Sequence, residues 1–160
     1  MINLIRCAIL IALLIPVTII DIKKKIIPNS LILVGTVSGI ALIFFDLYNM
    51  WTYIWGTVFG LGLFIAIILL SELIMKKQGM GEGDAKLMGV VGLLTGLPNT
   101  ILTALLSFFL GAIFSVFALI SKKVEAGQEI PFGPFIALGA VISAIWGSNI
   151  ISWYIGLILG

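Results

Sequence analysis

The sequence contains two aspartates, Asp21 and Asp84, whose type and position could carry out chemistry. Asp21 follows the first apolar run, and Asp84 opens a later one within "GMGEGDAKLMG", residues 79–89. An ionised aspartate inside a bilayer costs roughly 2.5–3.5 kcal/mol on insertion scales, so a chain keeps one there for a partner, a water cavity or a reaction. Two aspartates at matched depth indicate a pair.

A pair of carboxylates in a small wet cavity can act as an acid and a base. Repulsion and desolvation raise the pKa of one carboxyl and leave the other low, which gives one neutral acid and one anionic base. The base removes a proton from water, the water attacks an amide carbonyl, and the acid protonates the leaving nitrogen. The chain has no histidine, and its one cysteine, Cys7, forms no CxxC pair, so we expect an aspartyl hydrolase without metal or cofactor.

The residues around Asp84 fit such a cavity. Gly81 and Gly83 have no β-carbon, so they can take positive φ and admit a peptide backbone or the partner aspartate. Irregular backbone at membrane depth is tolerated only beside protein or water. Glu82 either tunes the pair and meets basic substrate residues or is a solvated loop acid. Lys86 either holds Asp84 or an oxyanion, or extends to the lipid interface.

Both aspartates also have simpler interpretations. Asp84 can cap the N-terminus of a helix after a flexible glycine loop, since aspartate is a preferred capping residue. Asp21 can be an interfacial residue that balances the lysines at 23–25. The two together, in a chain with no other catalytic inventory, favour the catalytic interpretation and leave open which aspartate is the acid.

The elements that must hold these aspartates are membrane helices. Of 160 residues, 61% are hydrophobic and only 10% are charged, and the mean hydropathy of +1.28 is far too high for a soluble domain. A bilayer core of roughly 30 Å needs about 20 helical residues. This length predicts a single all-α domain, 1–160, that is a polytopic membrane protein with six transmembrane helices at about 4–20, 30–45, 51–75, 85–97, 100–120 and 132–147.

The fourth helix is expected to be short. Residues 87–120 are apolar for 34 positions, which as one helix would be about 51 Å long and would overshoot the membrane. The segment "TGLPN", residues 95–99, supplies the glycine and proline turn chemistry that breaks this run. Residues 148–160 hold too few apolar positions for another crossing, so we expect a continuation of the sixth helix or an interfacial tail.

Positive charge is confined to alternate connections of the six predicted helices. Lysines occur at 23–25, at 76, 77 and 86, and at 122 and 123, whereas Arg6 lies at the opposite face. Cytoplasmic loops carry the excess of Lys and Arg, so both aspartates are predicted to face the cytoplasm and both termini the outside. Lipid contact and topology alone also account for each lysine group.

Three segments, taken in order, resemble one family. They are "DIKKKIIPN" with Asp21, Pro28 and Asn29, "GEGDAKLMG" with its GxGD core at 81–84, and "EIPFGPFIALGA" near the end. This order is similar to that of bacterial prepilin peptidases, which are type IV leader peptidases of the GxGD intramembrane aspartyl protease class. The resemblance implies that Asp21 and Asp84 are the catalytic pair, in the bacterial inner membrane. It also implies cleavage, after a glycine, of the short basic leader of prepilins or pseudopilins.

The last motif supplies further candidate residues around the substrate. Pro131, Phe132, Gly133 and Pro134 are expected to form a rigid turn into the sixth helix, because proline fixes φ and glycine permits a tight bend. We expect this turn to line the substrate groove rather than simply to start a helix. The expected partners are the substrate and membrane lipid, with no nucleic acid, and a homodimer is left open.

The resemblance has one departure and two competing interpretations. Larger members carry a cytoplasmic insertion with two CxxC pairs between their first two spans and methylate the new N-terminus, whereas the corresponding connection here is only residues 21–29, so methyltransferase activity is not carried over. The first competitor is a small proton- or cation-coupled transporter that uses the same aspartates. The second is a non-catalytic subunit of a pilus or secretion assembly.

Overall fold

The computed structural model describes residues 2–75, 80–121 and 130–159, and within these ranges the chain is helical without strands. The predicted all-α class, with six helices and a short fourth one, is confirmed. A single turn of 3₁₀ helix, Leu47–Asn49, precedes the third helix. The helices are α1 (Ile2–Lys24), α2 (Asn29–Ile43), α3 (Met50–Met75), α4 (Glu82–Thr95), α5 (Leu97–Ile120) and α6 (Gly133–Leu159).

Four stretches of helix are long and apolar enough to cross a bilayer by length and composition. They are Asn3–Lys24, Leu47–Ile74, Leu97–Ile120 and Gly133–Ile158. Helices suit this environment because they satisfy their backbone hydrogen bonds internally. The remaining helices α2 and α4 have 15 and 14 residues, or roughly 22 and 21 Å. The chain is therefore a multi-pass membrane protein with four candidate spans, and six crossings stay a prediction.

The short helix α4 lies at the centre of the bundle and packs against all five other helices. It is buried from Asp84 to Leu94 apart from Lys86, which is exposed. A helix that is apolar on every side must be covered by protein or lipid, and α4 is covered by protein. The largest fully buried side chains that surround or belong to α4 are Leu10, Leu14, Val17, Phe64, Leu87, Met88, Val91, Leu94 and Ile136.

Glycines allow the backbones of α3 and α4 to touch. A β-carbon on Gly92 would lie 2.3 Å from the carbonyl atoms of Gly56, and one on Gly60 would lie 2.6 Å from the carbonyl oxygen of Met88. Small residues four positions apart are what close helix packing in membranes requires. These contacts fix the depth of α4 relative to α3.

The α4–α5 connection is a single residue, Gly96, within the predicted break. Its φ of +79° is in the left-handed region, which glycine enters without a steric penalty. The N–H of Gly96 donates to the carbonyl of Gly92, and Pro98 occupies the second position of α5, where a missing N–H costs nothing. Glycine and proline therefore turn the chain back sharply at this end of the bundle.

Two helix ends differ from the expected spans. Helix α1 continues past Asp21 to Lys24, so Asp21 lies inside the helix instead of following it. Helix α6 continues through residues 148–159, which excludes a separate interfacial tail there and gives a helix of roughly 40 Å. The lysines at 76, 77, 122 and 123, on which the topology prediction partly depends, lie outside the described residues.

Candidate active site

The bundle has two polar ends. Because α1 and α4 run in opposite directions, the end of α1 lies beside the start of α4 at one of them, and the start of α1 lies beside the end of α4 at the other. The first, the aspartate end, contains Asp21 of α1 and Asp84 at the start of α4. The second, the arginine end, contains Arg6 of α1 and Thr95 at the close of α4, which line the same cavity. Arg6 and Asp21 are fifteen positions apart in one helix, or roughly 22 Å along the axis.

Asp21 is buried, with 4% of its surface exposed, and it contacts the start of α6. Its Oδ2 accepts the N–H of Gly133 at 2.9 Å. The first N–H groups of a helix have no partner within that helix, so Gly133 has a donor to spare for a carboxylate. A β-carbon on Gly133 would lie only 2.7 Å from the same Oδ2. Glycine is therefore needed here for close approach, which gives Gly133 a more specific role than the expected tight bend.

Asp84 is the third residue of α4 and is 8% exposed. Its Oδ2 accepts the N–H of Gly81 at 3.2 Å, and the carbonyl of Gly81 accepts the N–H of Asp84 at 3.1 Å. Gly81 itself occupies the capping position, with φ of −76°, so Asp84 is not the N-cap residue and Gly81 does not need left-handed backbone. The first of these hydrogen bonds holds the carboxyl group against the helix start, and the second joins the two backbones.

The electrostatic environment of Asp84 favours its neutral form. Asp84 lies in the first turn of α4, outside the four candidate spans. Burial and, as a smaller cause, the charge of Asp21 together raise the pKa of Asp84 to about 7, although the Gly81 N–H acts in the opposite direction. Two acids at one end of the bundle can therefore hold one proton between them near neutral pH.

Residues of the first motif pack against the first turn of α4. A β-carbon on Gly83 would lie 2.9 Å from the β-carbon of Ile27, so Gly83 is a close-packing position with ordinary backbone. Pro28 is half-buried in extended backbone at the start of α2, and Asn29 is the exposed first residue of that helix. The α1–α2 connection is thus fixed beside the GxGD segment.

Glu82 and Lys86 lie on the outer face of α4, away from the buried acids. Their side chains are 73% and 45% exposed, and Lys86 Nζ lies 4.0 Å from Glu82 Oε2. An exposed pair of this kind contributes little to stability. Lys86 is paired with Glu82 instead of holding Asp84. Both residues line a mainly apolar groove of about 300 Å³, together with Glu72.

The proline and phenylalanine motif surrounds the contact with Asp21. Phe132 packs in an aromatic cluster, with its ring centroid 6.0 Å from Phe64 and 5.5 Å from Phe108. Pro131 is half-buried just before α6, and Pro134 is the second residue of that helix. This packing anchors the start of α6 so that Gly133 reaches Asp21.

The sequence interpretation missed the network at the arginine end. Arg6, expected only as a charge at the outer face, is 96% buried, donates to the carbonyl of Leu42 at 3.0 Å and lies 3.8 Å from Asp46. Tyr53 donates to Asp46 at 2.7 Å, and its ring lies 3.8 Å below the guanidinium. These donors hold the pKa of Asp46 below its usual value, with the Tyr53 hydrogen bond as the largest cause. The sequence signal that could have revealed this network is Arg6 itself, an ionisable residue inside an apolar run.

No group of three or more histidine, cysteine, aspartate or glutamate side chains with metal-binding geometry occurs in the described part of the chain. Both aspartates already accept backbone N–H groups, which are donors that would compete with a cation for the same oxygens. Two carboxyl groups at one end of the bundle are able to transfer protons to and from a water molecule.

Comparisons with known proteins converge on one family. A family model described as the type IV leader peptidase family matches residues 8–116. The chain is 33% identical over 143 residues to a prepilin leader peptidase/N-methyltransferase of Stutzerimonas stutzeri, covering 89% of this chain and 50% of the relative. A protein of the same name from Pseudomonas aeruginosa is 34% identical, with 89% and 49% covered. The one from Bacillus subtilis is 31% identical over 159 residues, with 99% and 62% covered. The chain spans about half the length of the first two relatives, and no solved structure matches it.

Proposed function

We propose that this chain, which belongs to the type IV leader peptidase family, is a membrane aspartyl endopeptidase. Its proposed reaction removes the basic leader of prepilins or pseudopilins. The observation that carries the proposal is the burial of Asp21 and Asp84 at one end of the bundle, where the charge of one acts on the other. The names of the relatives support the substrate class. The proposal does not extend to N-methylation, which those names attach to longer proteins.

In the proposed mechanism Asp21 is the base and Asp84 is the acid. The Gly133 N–H stabilises negative charge on Asp21, and the burial that raises the pKa of Asp84 keeps a proton on it near neutral pH. Asp21 removes a proton from water, and the resulting hydroxide attacks the scissile carbonyl carbon. Asp84 then gives its proton to the leaving nitrogen, so that the pair ends with its one proton on Asp21 and is reset by exchange.

The groove on the outer face of α4 is the proposed seat of the substrate helix. Its walls are Leu61, Ile65, Ile68 and Leu69, which suit an apolar helix lying in the membrane. Two acids, Glu72 and Glu82, stand on the same groove and can attract the basic residues of a leader. The apolar and basic parts of one substrate would then share a single surface, whose lining residue Ala85 directly follows Asp84 in the chain.

The proposed location is the bacterial inner membrane, with six crossings and the aspartate end in the cytoplasm. The lysines at 23–25 lie where α1 ends, only a few residues after Asp21. Positive charge and the two acids therefore share the aspartate end of the bundle. Both termini then lie outside, and the arginine end faces the outer headgroups.

A cleavage assay tests the proposal. The full chain, purified in detergent, is incubated with a peptide that joins a short basic leader ending in glycine to an apolar helix, and products are identified by mass spectrometry. We expect one cut after the glycine. Asp21→Asn and Asp84→Asn should each lower the rate by at least a thousandfold, because neither amide can take up or release the proton.

The matched control is Glu82→Gln, which removes an acid of the same turn whose side chain is 73% exposed. It should retain cleavage and change only the affinity for basic leaders. Circular dichroism and elution volume should be the same for all variants. If either aspartate variant cleaves as fast as the parent, the pair is not catalytic. Cation flux into vesicles without cleavage would support a transporter instead.

A further inference from the structure

Helix α3 continues well beyond the level of the two acids. The glycine contacts between α3 and α4 pair these helices residue for residue, and one further turn of this pairing brings Phe64 to the height of Asp84. Residues 65–74 therefore extend roughly 15 Å past the acids, at 1.5 Å per residue. The exposed side chains of this stretch are apolar apart from Glu72, which lines the groove on the outer face of α4.

Helix α5 extends past the acids in the same direction. A β-carbon on Gly111 would lie 2.8 Å from Phe132, which precedes the residue that donates to Asp21, so Gly111 is level with the acids. The next nine residues, 112–120, add roughly 13 Å of helix and include no charged residue. Their exposed large side chains are Ile113, Phe114, Val116, Phe117, Leu119 and Ile120. Apolar surface of this extent belongs in hydrocarbon, so lipid must reach the far ends of α3 and α5.

Helix α2, in contrast, begins at the level of the acids. Its Gly35 packs against Val90, and because α2 and α4 run the same way, the first residue of α2 is level with Asp84. Near its other end the carbonyl of Leu42 accepts Arg6, so α2 connects the aspartate end to the arginine end in 15 residues, or roughly 22 Å. The large side chains exposed along it are Leu33, Val34, Val37 and Ile40.

The two sides of the bundle therefore need different thicknesses of hydrocarbon. On one side α2 offers roughly 22 Å, with the exposed lysines at 23–25 beside its start, and on the other α5 offers 24 residues, or roughly 36 Å. A flat bilayer would either bury those lysines or leave the far ends of α3 and α5 in water, and both are costly. Tilting the bundle does not help, because it lengthens the path through the bilayer equally for helices that run side by side.

We propose that the bilayer is thinner beside α2 than beside α3 and α5, so that on the α2 side the lipid boundary lies at the level of the acids. A helix shorter than the hydrocarbon thickness can be accommodated by local thinning at modest cost. The partner of this face is thus a lipid surface, whose headgroups meet the lysines at 23–25. Water would approach the acids from this side. The inference rests on the multi-pass architecture and not on the peptidase proposal.

Cysteine labelling in vesicles locates the two lipid boundaries. In a Cys7→Ala background, Ser30→Cys reports on α2 and Ala66→Cys on α3; both residues are exposed, and Ala66 lies further along the bundle axis, past the acids. The full chain in phosphatidylcholine vesicles is treated with a charged maleimide, with freeze–thaw cycles so that both faces meet it. Each rate is divided by that of the same variant in denaturant. Ser30→Cys should react at least roughly tenfold faster, because a thiol in hydrocarbon stays protonated and meets no charged reagent.

The control for hydrocarbon is Val37→Cys, in the middle of the exposed face of α2, which should react as slowly as Ala66→Cys. Equal rates for Ser30→Cys and Ala66→Cys would overturn the proposal. If both were fast, a flat boundary would lie at the level of the acids, and if both were slow, it would lie at the ends of α3 and α5. A disulfide that joins two chains through Val37→Cys would also overturn it, because a second copy of the chain would then cover α2 in place of thin lipid.

Discussion

Replacing Asp84 by asparagine should stabilise the protein at alkaline pH while it abolishes cleavage. Asparagine has the shape of the protonated acid and can still accept the Gly81 N–H. Because the pKa of Asp84 is raised from 3.8 to about 7 by burial and by Asp21, the folded chain binds more protons than the unfolded chain between these values. Its stability therefore falls as pH rises through that window and is lowest above pH 7.

The size of the effect follows from the same values. The difference between 3.8 and about 7 corresponds to at most roughly 4 kcal/mol, at about 1.4 kcal/mol for each pKa unit. A chain of this length changes its unfolding midpoint by roughly 2–4 °C per kcal/mol, so Asp84→Asn should unfold up to roughly 16 °C above the parent at pH 8. At pH 5 the unfolded parent has already ionised Asp84, so roughly 1.7 kcal/mol of the difference remains, and the two midpoints should converge only as the pH falls towards 3.8.

The assay is thermal unfolding in one detergent at a fixed scan rate, from pH 5 to pH 8, followed by intrinsic fluorescence. Glu82→Gln is the control, because it removes an exposed charge from the same helical turn. Its difference from the parent should not change across the range. A parent that is more stable than Asp84→Asn at pH 8, or a difference that is the same at both ends of the range, would show that Asp84 is not held neutral by burial.

Three further predictions concern the glycines and the chemistry. Gly133→Ala should lower the cleavage rate roughly 10- to 100-fold with the fold intact, because the added β-carbon would displace the Asp21 carboxyl from the N–H of residue 133. The control is Gly62→Ala, which should cleave like the parent because nothing lies within 4 Å of the added carbon. Gly92→Ala should lower the unfolding midpoint by roughly 3–10 °C, since the added carbon would meet the Gly56 backbone; an unchanged midpoint would contradict the close contact of α3 and α4. EDTA should leave the cleavage rate unchanged, and strong inhibition would argue against a reaction carried by two carboxylates alone.

The fold was largely predictable from the sequence because the membrane restricts it so strongly. Apolar runs of known length gave the helix count and the short fourth helix, and Gly96 with Pro98 marked the break to which the α4–α5 turn corresponds. The end of α6 was harder to predict, because a polar stretch at 147–149 does not stop a helix whose backbone is bonded internally. The number of apolar residues at the C-terminal end could not by itself distinguish a continuation of α6 from an interfacial tail.

The candidate site was predictable in its residue types and less so in its contacts. Charge in an apolar chain identified Asp21 and Asp84, but the reason for Gly133 depends on α6 beginning beside α1, a contact between residues 112 positions apart. Arg6 shows the same limit. Its place in a span was visible, whereas its burial against Asp46 and Tyr53 depends on how three helices rotate about their axes.

The position of α4 explains how the chain keeps an acid at the membrane boundary. A carboxyl on the lipid-facing side of a helix would have no donor to compensate its charge. Asp84 instead lies on the helix that the five others surround, close enough to Asp21 for the two charges to interact. The short length of α4 follows from this arrangement, because a helix enclosed by protein does not itself need to match the hydrocarbon thickness. The first turn of α4 can then begin inside the bundle, where Asp84 is buried.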